Sequence, residues 1–400
     1  MRRWCRDCDP YPCDAWHFSD RISNYIDSVF DALFHPLKNF GALKALENRC
    51  SPFFLQLCIF LHLFKEEIIT PDLERQIYSR TLVIFREARE QGMVMRVFTC
   101  FGRGTKFFSL ERDNKKIIFD ELPSISLEGD DVPFSDKYIF KCALRKMNFP
   151  TPDGRTCKTV EQALDAANTL GYPLVVKPRR GSLSKHTTCG IADEDDLRQA
   201  VKSVKMITRE YIVERYIPGH VFRVTVVGGI VGGCCLREAP HVVGDGVRTV
   251  SELVQKKNTD PRRGPLVQKN TTLHHIVVTP GSREKLLAQS IALDGVPGQG
   301  EKIFLHSKVI LGAGADIHDR TDEIHPENKK LFEDVAKIWD APLVGFDAIF
   351  QDVSVSWRDQ ECGIIEANSK PYIDMHHVPV TGQPRNIAKL LIDYIVEKNI

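Results

Sequence analysis

This 400-residue sequence lacks a charge of one sign, a membrane-length apolar run, an internal repeat and any low-complexity tract. Lys plus Arg is 54 and Asp plus Glu is 53, so nothing favours nucleic acid or an anionic membrane as a partner. The most apolar stretch, Pro52 to Phe64, carries His62 and is shorter than the about 20 residues a spanning helix needs. No apolar stretch follows the arginines of MRRWCRDCDPYPCDAW, so no secretory signal is expected. What remains is a chain that is 42% hydrophobic, enough for a sizeable core. Its length suggests two or three structural units.

Twelve cysteines are scattered along the chain. Cys189, Cys234 and Cys235 lie in apolar surroundings and read as small core residues, which fits reduced thiols and a cytoplasmic location. The N-terminus differs. Cys5, Cys8 and Cys13 are followed by His17, and Cys-x-x-Cys is half of a common tetrahedral zinc set. No second Cys-x-x-Cys follows at a usual spacing, so a cysteine-rich tail without metal is the plainer reading.

Residues 1–132 form an N-terminal region with a small α/β unit from about residue 72. The apolar spacing from Asp72 to Arg89 predicts a helix, residues 93–101 a strand, and residues 106–122 a hairpin turning at Asp113-Asn114. Residues 123–133 are a polar link. Beyond it, Thr159-x-x-Gln162 and Thr249-x-x-Glu252 are helix-start patterns. Gly171 stops the first helix, and Leu174–Lys177 and Tyr211–Glu214 follow as strands. Phe222–Val227 and Ile230–Leu236 read as a hairpin with Gly228-Gly229 in the turn. Asn328–Trp339 and Arg385–Glu397 read as helices around the strands Val344–Phe350 and Gly363–Ala367.

The chemistry-bearing residues gather in this second part. Glu366 and Asn368 are two apart in a strand, so both point to one face. A hairpin would bring Asp347 alongside. Two carboxylates and an amide oxygen are a hard oxygen site suited to magnesium that also binds phosphates, although ordinary strand-end polarity would look similar for Asp347 alone. Lys177 ends the apolar strand LVVKP, where a phosphate partner or snorkelling to the surface would explain a charge. Lys137 precedes an amphipathic helix, where simple surface charge is the plainer reading. The stretch PRRGSLSKHTTCG behind Lys177, with Ser182, Lys185 and His186, suits either a mobile phosphate-covering loop or a polar surface turn.

Together, Lys137, LVVKP with the loop behind it, VERYIPGHVFRVTVV and Asp347 with Glu366-x-Asn368 resemble the ATP-grasp superfamily over about residues 133–398. The segments HVVGDGVRTVSELVQKKNTDPRRG, TDEIHPEN and DMHHVPVTGQPRNIAKLLID are similar to the grasp part of cyanophycin synthetase and of bifunctional glutathione-synthesis ligases. The likeness is not seen over residues 1–130, nor is a Mur-ligase-like half. The resemblance implies an α+β fold in which two lobes grip ATP across residues 133–400. It implies an ATP- and Mg2+-dependent ligase, with Mn2+ an open alternative, that joins a small carboxylate to an amine through an acyl phosphate. Lys137, Lys177, Ser182 and Lys308 would then meet the nucleotide. Glu214, with the backbone of Tyr216 and Ile217, would hold adenine. Asp347, Glu366 and Asn368 would hold the metal, Arg237 would approach the phosphates, and Arg223 would orient a carboxylate.

Several positions depart from the pattern. Val221 stands where an acid for ribose is usual, leaving His220 as a substitute. Ser184 and His186 stand where the loop usually has glycines. His306 and Lys308 replace an arginine and an asparagine. Asp374 replaces an arginine near the acceptor, which points to a different substrate, an amino acid or short peptide. These departures leave a second reading open, a nucleotide-binding regulator without ligase chemistry. Residues 1–130 are candidates for shaping the acceptor pocket or a homo-oligomer contact.

Overall fold

The computed structural model describes residues 5, 7–9, 17, 64–123, 134, 136–181 and 184–398. Cys13, Ser182 and the apolar run of residues 52–63 lie outside them. Three antiparallel sheets of four, four and five strands organise the described chain.

The first sheet uses Lys65–Ile68, Val94–Cys100, Arg103–Arg112 and Lys115–Asp120 in sequence order. Its last turn is at Asp113-Asn114, both with positive φ (49° and 62°), a conformation these two residue types tolerate best after glycine. The helix expected from Asp72 to Arg89 is two pieces, Pro71–Glu74 and Ser79–Glu90, because Tyr78 is extended and restarts the chain as an N-cap. The unit therefore begins with a strand at Lys65, which periodicity did not reveal. It also shares its core with the last helix, Ile387–Glu397: Leu82, Ile84 and Phe108 pack in one cluster with Leu391, Ile392 and Ile395.

The second sheet runs Gly154–Cys157, Tyr211–Arg215, Leu174–Pro178, Thr188–Ile191. Helices Val160–Leu170 and Glu194–Val204 cover one face, with Ala163, Leu197 and Val201 against Val176 and Val213. Thr159 caps its helix by accepting from Gln162 N, but the Gln162 side chain accepts from Lys158 N instead of closing the box. At Thr249 both halves of the box are present.

The third sheet runs Asp316–Asp319, Ile230–Glu238, His220–Val227, Leu343–Phe350, Gly363–Asn368. The expected hairpin turns at Gly228 and Gly229, with φ of 57° and 82°. Helices Lys137–Lys146 and Pro326–Ile338 cover its inner face, where Phe140, Leu144, Phe332 and Val335 pack on Val224, Phe346 and Ile364. Each large apolar side chain buried this way contributes roughly 1.5–3 kcal/mol. The segment between Glu238 and Asp316 forms a small insert with its own core of Val242, Leu253 and Ile303. Among the described residues, no helix is long and apolar enough to cross a membrane.

Candidate active site

Between the second and third sheets lies a cavity of about 1520 Å³. That exceeds the roughly 300–1,000 Å³ typical of one small-molecule site, so it has room for more than one reactant. Strand alternation decides what faces it. Phe222, Val224, Phe346 and Ala348 point into the core, so Val221, Arg223, Asp347 and Ile349 point into the cavity. Glu366 and Asn368 line it likewise, on either side of the buried Ala367.

Register then builds a row of charge. Asp347 pairs across the sheet with Arg223 on one side and Glu366 on the other. Its Oδ1 accepts from Arg223 Nε at 2.6 Å and its Oδ2 from Arg237 Nη2 at 2.7 Å. Burial pushes the Asp347 carboxyl up, but the two guanidinium groups outweigh it and hold the group well below the usual carboxylate range. Two carboxylates directly opposite in a sheet repel each other, so the Asp347–Glu366 pairing calls for further cationic charge nearby. Asn368 Nδ2 lies 3.4 Å from Glu366 Oε1, which completes an oxygen-rich set suited to a divalent cation. Arg223 Nη1 and Arg237 Nε are buried without a hydrogen-bond partner among the described residues. Arg223 keeps its course because position 345 is glycine. A Cβ there would stand 2.9 Å from Arg223 Nη1 and 2.6 Å from Pro371 Cβ.

On the opposite wall, Lys177 Nζ is 2.7 Å from Glu214 Oε1. The second Glu214 oxygen accepts from Lys141, whose side chain is fully buried. Two lysines thus share one carboxylate in a buried place, which drives Lys141 toward its neutral form. Burial pulls Lys141 down to about 7, and repulsion from Lys177 adds to this. Lys177 is held above its ordinary value because the attraction of Glu214 outweighs its burial. Only Lys177 and Glu214 of the three line the cavity. Lys141 escaped the sequence reading. Its one signal is a charge one turn after Lys137, flanked by the core residues Phe140 and Leu144. Lys137 donates to the carbonyl of Gly181 and lies 3.8 Å from Glu366. Burial lowers its pKa.

The loop after Pro178 is held at its root by Arg179, which forks onto Asp136 at 3.0 and 2.9 Å. Tyr216 and Ile217 line the cavity as expected, but His220 does not. It is exposed at the start of its strand, because alternation turns it away from Val221. That placement corrects the reading of His220 as the ribose contact. Lys308 lines the cavity, yet its Nζ donates to the carbonyls of Asp7 and Ser184, at 2.9 and 2.8 Å. Ser182 lies outside the described residues.

At the far end the N-terminal unit contributes Tyr78 and Ser79 to the wall. Asp374 is buried there and accepts on Oδ2 from Ser79 Oγ and from Thr272 Oγ1 at 2.7 Å. Its Oδ1 has no hydrogen-bond partner among the described residues, and burial raises its pKa. Sequence reasoning could not connect Ser79 to this end of the cavity, since 295 residues separate it from Asp374.

The family described as carbamoyl-phosphate synthase L chain, ATP binding domain, matches residues 136–222. The chain is 34% identical over 261 residues to a cyanophycin synthetase of Nostoc sp. (strain PCC 7120), covering 65% of this chain but 29% of that protein. It is 25% identical over 383 residues to the glutathione biosynthesis bifunctional protein GshAB of Clostridium perfringens, covering 94% of this chain and 47% of the relative. The crystal structure of a bifunctional glutathione synthetase from Pasteurella multocida superposes with a TM-score of 0.63 at 24% identity, over 81% of this chain and 44% of that one. The chain thus spans less than half the length of these relatives. The two bifunctional proteins also correct the expectation that the likeness stops near residue 130, because residues 133–400 alone cannot supply 94% or 81% of the chain.

Proposed function

We propose that this chain, an ATP-grasp protein by fold and by the family matched, is an ATP-dependent carboxylate–amine ligase that forms an amide or peptide bond and releases ADP and phosphate. The observation that carries the reading is one cavity walled by two kinds of group. Asp347, Glu366 and Asn368 offer oxygen ligands, while Lys137, Lys177, Arg223 and Arg237 offer charged donors, two with buried N–H groups not yet bonded. ATP phosphates carried with a divalent cation satisfy both walls.

In this reading Asp347, Glu366 and Asn368 hold magnesium or manganese. Bound there, the ion neutralises charge developing on the phosphate oxygens. Lys137 and Lys177 position the phosphates, with Glu214 holding Lys177 in place. Because both Glu214 oxygens are engaged by lysines, contact with the base falls chiefly to the backbone of Tyr216 and Ile217. A substrate carboxylate oxygen attacks the γ-phosphorus and the bond to ADP breaks. Arg237, with Arg223 beside it, stabilises the acyl phosphate. An amine then attacks the acyl carbon, phosphate leaves, and the amine proton is lost to solvent.

The acceptor end suits an amino acid or short peptide. Asp374, with one unbonded oxygen in the wall, favours a substrate bearing an amino or guanidinium group there. The buried thiols of Cys234 and Cys235, pushed above their ordinary pKa by burial, suit a reducing, cytoplasm-like compartment. The test is ATP turnover with magnesium and pooled amino acids and dipeptides, reading nucleotides and masses together. The expected result is ADP with a product equal to two substrates less one water. Nucleotide binding with no ADP in any pool would overturn the ligase and favour a nucleotide-binding regulator.

A further inference from the structure

Four of the residues in which this chain departs from the ATP-grasp pattern, Ser184, His186, His306 and Lys308, gather with the N-terminal tail at one place. Cys5, Cys8 and His17, from the N-terminal tail, meet His186, from the loop over the cavity. One ligand atom from each lies within 4.8 Å of all the others. Cys8 Sγ is 3.7 Å from His17 Nδ1 and 3.4 Å from His186 Nε2. A tetrahedral zinc with ordinary Zn–S and Zn–N bonds sets its sulfur and nitrogen ligands about 3.6 Å apart. The two imidazole rings stand at 86° to each other with centroids 4.8 Å apart, as rings radiating from one centre do. Cys8, His17 and His186 are each no more than 3% exposed.

The surroundings are those of a prepared metal site. Cys8 N donates to Cys5 O at 3.1 Å, closing the Cys-x-x-Cys turn so that both sulfurs face one side. His186 Nδ1 is 3.0 Å from Ser203 Oγ, which in turn donates to Asp7 Oδ2 at 2.7 Å. That chain fixes the ring and leaves Nε2 directed at the cluster, the kind of outer partner a metal-bound histidine uses. Ser184 and His186 have φ of 52° and 49°, so the loop keeps a left-handed course without the usual glycines. Such strain persists only where the surroundings hold it in place. Two further departures hold the same tail: His306 Nε2 is 3.2 Å from Asp9 O, and Lys308 joins the carbonyls of Asp7 and Ser184.

We propose that Cys5, Cys8, His17 and His186 form a structural zinc site that clamps the N-terminal tail onto the loop covering the cavity. Two sulfurs and two imidazoles, three of the four residues buried and Cys5 half-buried, select zinc over the oxygen-loving ions of the reaction centre. On binding, both thiols lose their protons, and two thiolates with Zn2+ leave no net charge in a buried place. The clamp adds Asp7 to the cavity wall.

The experiment uses the whole chain, produced with zinc in the medium and dialysed, and needs no substrate. Metal analysis should give about one zinc per chain, and zinc X-ray absorption should show two sulfur and two nitrogen neighbours. Cobalt in place of zinc should give the intense visible bands of a four-coordinate thiolate site. His186→Ala should lose most of the metal, as should Cys8→Ala. A protein with only trace zinc and no cobalt spectrum would overturn the proposal. So would full zinc retention in His186→Ala with loss in Cys8→Ala, since the tail would then hold the ion without the loop. The spectra of the unaltered chain decide the matter even where a variant fails to fold. None of these readouts depends on ligase activity.

Discussion

Lys177 and Lys141 grip opposite oxygens of one buried glutamate, but only Lys177 reaches the cavity, and this asymmetry can be measured. Replacing either by methionine removes one ammonium and leaves Glu214 paired with the other. Removing one partner from a buried pair typically costs about 3–5 kcal/mol, because a charge is left alone. Here the carboxylate keeps a second lysine. The cost should fall below that range, to about 2 kcal/mol for either variant. Turnover should separate them. Lys177→Met should lose on the order of 100-fold in ATP-dependent product formation, about 2.7 kcal/mol of transition-state stabilisation. Lys141→Met should stay within about 10-fold, since its charge acts only through Glu214. Denaturant unfolding gives the stability of each variant, and initial-rate ADP formation with saturating magnesium gives the activity. Equal losses of turnover in the two variants would refute the reasoning and make the group a purely structural one. Near-normal turnover in Lys177→Met would remove Lys177 from the site.

Three further outcomes follow from the same geometry. Asp347→Asn should lower turnover on the order of 100-fold and raise the magnesium concentration needed for half-maximal rate, read from a magnesium titration of ADP formation. Gly345→Ala should push Arg223 out of line and destabilise the protein by about 1–3 kcal/mol, with a loss of turnover in the folded fraction; an unchanged melting curve and rate would contradict the close approach. His376 is buried, bonded to Thr225 Oγ1 at 2.8 Å, and pulled down to about 3 by burial and by the nearby Arg223. Its folded pKa is depressed, so its contribution is present above pH 6.5 and is lost as pH falls toward 3. Stability should drop by about 2 kcal/mol between pH 6.5 and 5 from this group alone, and His376→Gln should flatten that part of the curve.

Much of this protein is determined by sequence alone. Strand alternation placed Glu366 and Asn368 on one face, and Gly228-Gly229 and Asp113-Asn114 marked turns that form where expected. These are local signals, carried by backbone sterics and a two-residue period, and they survive folding unchanged. His220 shows the limit of motif logic: one residue along a strand reverses the face. Other features rest on contacts that no local pattern encodes. Nothing local marks Lys141 until the second sheet brings Glu214 to it. Ser79 falls inside the helix expected from Asp72 to Arg89, and no pattern there points to Asp374. Cys5, Cys8, Cys13 and His17 read as a cysteine-rich tail holding half of a zinc set, and the histidine that meets Cys8 stands 178 residues further on. Sequence determined which residues could carry charge or bind metal and which way each strand presents them. Tertiary structure decided which of them meet, because burial and pairing of charge depend on elements distant in the chain closing on one another.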